Sequence, residues 1–161
     1  MYVYHGSYCE IENPDLKYSR KNLDFGKGFY VTGLKEQAIK WAKIIKIRNN
    51  ENKCFLNEYN LDIEKLKNNY KVKSFNSYSV EWLDFIIDCR SGSDIYTNYD
   101  VVIGGIADDR VFNTLDLYTN GLIEKSEALN RLKYYKPNNQ ICIISNSVIK
   151  NELKFIKSEE I

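Results

Sequence analysis

The sequence predicts an α+β fold in one domain. Some stretches repeat apolar residues at helical spacing, and others are short runs of β-branched and aromatic residues. The two kinds follow one another without a regular β-α-β alternation, which favours α+β over a doubly wound sheet. The chain has 161 residues, enough for a single domain with one main core, and has no internal repeat or long linker. Residues 1–161 are therefore read as one domain.

Residues 2–5 are aromatic and β-branched and read as a first strand. Residues 6–27 are polar, hold Pro14 and Gly26, and read as loop. A second strand covers 28–32 and breaks at Gly33. The helix expected over 34–48 carries Leu34, Ala38, Trp41, Ala42 and Ile45 on one apolar face. A strand over 54–61 follows, then a turn of helix capped by Asp62 through Leu66, then a short strand over 70–75. Ser79 is placed to cap a helix over 80–89, with Trp82, Leu83, Phe85, Ile86 and Cys89 on its buried side. Residues 99–105 form a strand entering a glycine turn, and helices over 109–119 and 126–135 follow, the latter opened by Ser126 and Glu127. After a turn at 137–139 come a strand over 140–144, a helix over 148–152 and a strand over 153–157.

Composition excludes several function classes. Lys plus Arg number 23 against 22 Asp plus Glu, so the chain lacks the overall basic footprint that duplex nucleic acid usually demands, which leaves contact through a local patch open. No apolar run reaches the length of a membrane span, and the N-terminus has neither the basic start nor the apolar core of an export signal. A cytoplasmic protein is expected, with no membrane partner. The cysteines Cys9, Cys54, Cys89 and Cys142 are scattered, and there is one histidine. That pattern supports neither a zinc site nor a disulfide framework, so no metal is expected and the thiols are read as reduced and mostly buried.

Five constellations can carry chemistry. Tyr4-His5-Gly6-Ser7 ends the first strand and holds the only histidine. Its two ring nitrogens give directed hydrogen bonds, and a glycine behind it permits close backbone approach; the alternative is a surface or capping histidine. Asp24-Phe25-Gly26-Lys27-Gly28-Phe29-Tyr30-Val31-Thr32 sets glycines before an aromatic pair whose rings leave the strand on opposite faces. One ring can enter the core while Tyr30 offers a stacking platform for a flat heterocycle. The glycines do not fit an NTPase phosphate loop, and a hairpin with core aromatics is the plain alternative. Trp41 shares a helix face with Leu34 and Ala38, so its plainer reading is a core residue. Gln140 opens an apolar strand where an amide can bond a ribose or simply face water. Asp108 and Asp109, beside Arg110, suit acid-base work or, more simply, capping of the next helix.

The first three of these, in this order, resemble the catalytic core of ADP-ribosyltransferases of the diphtheria-toxin and poly-ADP-ribose-polymerase branch. Over nearly the whole chain, from residue 2 to about 156, the sequence looks more specifically like a bacterial domain-of-unknown-function family, number 3990, placed among the ADP-ribosyltransferases. The stretches that carry this likeness are Asp24 to Tyr30, Ile103 to Asp109 and Tyr134 to Ile141.

The resemblance implies a split-β-sheet core with flanking helices and NAD, as substrate, gripped in a cleft between two small sheets. It implies that His5 bonds a ribose, that the Gly6 backbone holds the nicotinamide amide, and that Tyr30 and Trp41 flank the nicotinamide. Ser7, Phe25, Gly26 and Thr32 complete the expected nucleotide site. The imidazole and the phenol are thus expected to converge on one pocket. Gln140 matches the position where the family usually has a catalytic Glu. A neutral amide orients a ribose but stabilises developing positive charge less well than a carboxylate. Asp108 or Asp109 is a candidate for the missing charge. The implied activity is mono-ADP-ribosylation of a protein or nucleic-acid acceptor by a bacterial toxin or defence effector, with an antitoxin as a possible partner. Its rivals are an NAD glycohydrolase and a degenerate, non-catalytic nucleotide- or partner-binding module.

Overall fold

The computed structural model describes residues 1–106, 109–133, 135 and 139–161. Its strands are β1 (Tyr2–Ser7), β2 (Phe29–Thr32), β3 (Phe55–Asn60), β4 (Val72–Ser74), β5 (Val101–Gly105), β6 (Asn139–Ile143) and β7 (Lys154–Glu160). Between them run the helices α1 (Lys35–Arg48), α2 (Ile63–Asn69), α3 (Val80–Arg90), α4 (Asp109–Thr119), α5 (Lys125–Leu132) and α6 (Asn146–Glu152). The strands form one seven-stranded sheet in the order β4-β5-β6-β2-β1-β3-β7. β4 and β5 are parallel, and every other neighbouring pair is antiparallel. An α+β domain is what the mixed pattern of strand and helix predicts. None of the described helices is long and apolar enough to cross a membrane.

Side-chain alternation along the strands divides the core into two layers. On one face, Val102, Cys142 and the partly buried Tyr30 meet Trp82, Leu83 and Ile86 of α3, Val111 and Leu115 of α4, and Ala128 and Leu132 of α5. On the other, Val3, Phe29, Val31, Tyr59, Ile141 and Ile143 meet Leu66 of α2 and Val148 and Ile149 of α6. Trp82 is fully buried, and its indole N–H donates to the carbonyl of Gly105 at 3.1 Å, which ties α3 to the end of β5. Two of the capping residues read from sequence, Asp62 and Ser79, act as expected. Asp62 Oδ1 accepts from Lys65 N at 3.1 Å, and Ser79 Oγ accepts from Trp82 N at 3.2 Å.

Several boundaries differ for identifiable reasons. β1 runs on to Ser7, and a 3-10 turn at Leu16–Tyr18 interrupts the expected loop. β5 begins at Val101 because Ile95–Asn98 forms a 3-10 helix for which Tyr99 is the cap. α5 begins at Lys125, where Ala128 N–H reaches the carbonyl of the extended Glu124 at 3.0 Å, so Ser126 lies inside the first turn. β7 extends to Glu160 because it pairs along the whole of β3, from Asn60↔Lys154 to Phe55↔Glu160. The expected helical face of α1 is only half right. Ala38 and Ala42 are buried, whereas Leu34 precedes the helix at 48% exposure and Trp41 is 41% exposed. The expected division into two small sheets is replaced by one continuous ladder with a narrow joint.

Candidate functional site

That joint lies between β1 and β2. They are bridged at one residue pair, Tyr4↔Thr32, whereas β1 pairs with β3 from Tyr2↔Asn60 to Ser7↔Phe55 and β2 pairs with β6 from Phe29↔Ile143 to Thr32↔Gln140. Past the bridge a side chain spans the strands: His5 Nδ1 lies 2.7 Å from the carbonyl oxygen of Tyr30. A carbonyl only accepts, so Nδ1 carries the proton, and in the neutral ring Nε2 is left with a lone pair. The imidazole is half-buried and stacked on Phe29, with ring centroids 4.5 Å apart.

Burial lowers the His5 pKa below 6.5 and outweighs the bond to Tyr30, which acts in the opposite direction. The consequence for stability has a definite sign. The unfolded chain takes up a proton at this site before the folded one does, so the contribution is complete above 6.5 and declines as pH falls from 6.5 toward the lowered folded value. Melting temperatures measured from pH 8 to pH 5 should therefore fall on the acid side, and His5→Gln should flatten that part of the profile. Equal acid slopes in the two proteins would contradict it.

Tyr30 points to the other face of the sheet, into the α3 layer. Its hydroxyl donates to Gly26 O at 2.6 Å and accepts from Phe25 N at 3.1 Å, closing the loop before β2 back onto the strand. Burial, and then the neighbouring Cys142 thiol, hold the phenol pKa well above 10, so it remains a neutral donor. Burial likewise raises the Cys142 thiol, which stays a small neutral group against Phe25 O at 3.8 Å. His5 and Tyr30 therefore meet, but through ring and carbonyl. The expectation of two rings converging on one pocket is corrected: adjacent strand positions send Phe29, on which His5 stacks, and Tyr30 to opposite faces.

The antiparallel registers place Gly6, Tyr30, Thr32 and Gln140 on one face, through the pairs Tyr4↔Thr32 and Thr32↔Gln140. Gln140 is half-buried there between Thr32 and Gly104. Thr32 is buried and structural. Its hydroxyl donates to Asn139 O at 3.2 Å and accepts from Leu34 N at 3.1 Å, linking β6 to the start of α1. Ser7 is buried, and its hydroxyl accepts from Cys9 N at 3.4 Å. Phe25 is fully buried core. Trp41 stands at the surface with the Arg48 guanidinium 5.6 Å from its ring. Asp108 and the side chain of Asp109 lie outside the described residues.

The glycines of the motifs have packing reasons. A Cβ on Gly6 would come 2.0 Å from Ala38 O and 2.7 Å from Ala42 N, so α1 rests directly on β1 there. The expected ligand approach at Gly6 is thus replaced, on its Cβ side, by a helix backbone. Gly26 has φ +76°, and a Cβ there would strike the Tyr96 ring at 2.1 Å. A Cβ on Gly28 would come 2.3 Å from Cys142 Sγ.

Sequence reasoning missed Asn57 and Asp24–Arg90. Asn57 is fully buried in β3; it accepts from Ile11 N at 2.9 Å and donates to His5 O at 3.4 Å and to Cys9 O at 3.2 Å. Tyr59 OH also donates to Ile11 O at 2.5 Å, so β3 holds the loop that follows the histidine strand. An Asn inside a strand run gives no local signal for this. A concavity of about 600 Å³ lies elsewhere, lined by Asp84, Ile87, Asp88, Ser91, Tyr118 and Thr119. Its lining offers no basic side chain to a pyrophosphate, and Lys125, which lies beside it, is already paired with Asp84 at 2.6 Å, so it is a poor nucleotide site.

A family described as "Protein of unknown function (DUF3990)" matches residues 1–155. The chain belongs to the DUF3990 family. Comparison with curated proteins gives no match, and comparison with solved structures gives none. The DUF3990 match spans every strand and helix from β1 to α6 and runs into the first residues of β7, and so includes the whole β1–β2 joint.

Proposed function

We propose that this DUF3990 protein is a mono-ADP-ribosyltransferase that takes NAD at the β1–β2 joint. The observation that carries the reading is the bond from His5 to the Tyr30 carbonyl where the two strands part. It fixes the tautomer and leaves Nε2 as an acceptor nitrogen, suited to a ribose hydroxyl. The likeness of Tyr4-His5-Gly6-Ser7 and Gly28-Phe29-Tyr30-Val31-Thr32 to the ADP-ribosyltransferase motifs supplies the chemistry. In this reading NAD crosses the sheet where β1 and β2 part, meeting His5 on one face and Tyr30, Gln140 and the α1 ring of Trp41 on the other. Tyr30 and Trp41 would flank the nicotinamide, and Gln140 would orient its ribose.

In the proposed reaction the bond from nicotinamide nitrogen to ribose C1′ breaks. Its electron pair neutralises the pyridinium, and the oxocarbenium-like sugar is captured by an acceptor nucleophile that loses a proton. The acceptor is a protein or nucleic acid, and the biological setting proposed is a bacterial toxin or defence effector acting in the cytoplasm, with an antitoxin as partner. Gln140 specifically favours a second reading: an amide brings no negative charge to the sugar cation, as expected of a slow NAD glycohydrolase or a nucleotide-binding module without turnover.

Incubation with NAD labelled in the adenosine half, with and without lysate, separates these. Transfer predicts label on a macromolecule together with released nicotinamide. Release without labelled product identifies hydrolysis, and binding without release identifies the module. Absence of both binding and release removes NAD from the account.

A further inference from the structure

We infer that Asp24 and Arg90 are positioning residues whose ion pair sets the place of the Tyr30 ring through the short loop that joins Asp24 to β2. The inference rests on the proposed role of Tyr30. Arg90 closes α3, and its Nε and Nη2 both donate to Asp24 Oδ1, at 2.9 and 2.7 Å. The pair is mostly shielded, with side-chain exposures of 25% and 20%, where a charge-assisted contact counts for more than at the surface. The guanidinium also lies 4.9 Å from the ring centroid of Phe112 on α4. One side chain thus fastens two helices to residue 24.

Residue 24 leads directly into the groups that hold the phenol. Leu23 O accepts from Gly26 N at 2.9 Å, making a tight turn, and Gly26 takes the left-handed conformation at φ +76°. The next contacts are Phe25 N to Tyr30 OH and Tyr30 OH to Gly26 O. Arg90, Asp24, the turn and the phenol form one unbroken chain of contacts. Displacing the carboxylate moves the hydrogen bonds that orient the ring.

The test compares the full-length wild type, Asp24→Asn, Arg90→Lys, Tyr30→Phe and the double variant Asp24→Asn/Tyr30→Phe. Two readouts are used: hydrogen exchange at the Phe25 amide, and kcat and KM for nicotinamide release from NAD. Asn keeps the size of Asp, and Lys keeps the charge of Arg without its fork, so each checks the other against simple misfolding. Phe25 exchange should quicken about 10-fold in Asp24→Asn and in Arg90→Lys, with global melting little changed. The kcat/KM should fall about 10-fold in Asp24→Asn, with no further fall on adding it to Tyr30→Phe. Unchanged Phe25 exchange overturns the inference, and so does a full additional loss in the double variant. If the wild type neither binds nor cleaves NAD, the proposed function fails by itself, and Phe25 exchange alone decides whether the clamp exists.

Discussion

Gly6→Ala is expected to destabilise the protein by about 3 kcal/mol, at the upper end of ordinary overpacking costs. The added methyl would lie 2.0 Å from Ala38 O and 2.7 Å from Ala42 N. Both are backbone atoms of α1, so no side-chain rotation relieves the clash, and the helix must lift from β1. For a domain of this size the expected fall in melting temperature is roughly 6–12 °C. Gly33→Ala is the control, because a Cβ there would meet only the Met1 methyl at 3.0 Å, the far end of a side chain that can turn aside. Thermal unfolding of both variants checks this. A Gly6→Ala protein as stable as Gly33→Ala would mean that α1 does not sit on the strand as described.

His5→Ala is expected to lower nicotinamide release from NAD by about 100-fold, the scale of a misplaced reacting group. The substitution removes the bridge to Tyr30 O at 2.7 Å and the Nε2 acceptor together. Its cost to folding should be modest, about 1–2 kcal/mol, because the ring is half-buried and makes one hydrogen bond and one stack. Turnover and melting should thus respond very differently, which separates a chemical role from a structural one. Comparison of nicotinamide release at saturating NAD with the thermal midpoint reads both. Wild-type turnover in His5→Ala would take the imidazole out of the reaction.

The elements were legible where one local signal decided them. Asp62 and Ser79 mark helix starts with side chains that cap them, and the aromatic and β-branched runs at 28–32 and 140–144 read as strands, which pair with each other. Long-range geometry was less legible. Trp41 has the spacing of a core residue, but α1 packs through Ala38 and Ala42 because Gly6 lets the backbones approach, and this leaves the larger ring outside. Whether the sheet splits depends on how many pairs β1 and β2 make, which no residue type announces. His5 and Tyr30 were found from their motifs, yet the pleat that separates their rings depends on the β1–β2 register. Asp24–Arg90 and Asn57 join segments 66 and 46 to 52 residues apart, beyond any local pattern.

The most direct measurement uses the fact that the chain has a single histidine. Nitrogen NMR of an untagged, histidine-labelled protein reads His5 alone. The account predicts a neutral ring protonated at Nδ1 near pH 7.5, with an Nε2 resonance that shifts saturably as NAD is added to about 1 mM, the upper end of ordinary KM values. A ring protonated at Nε2 instead, or an Nε2 resonance that NAD leaves unmoved, would contradict it.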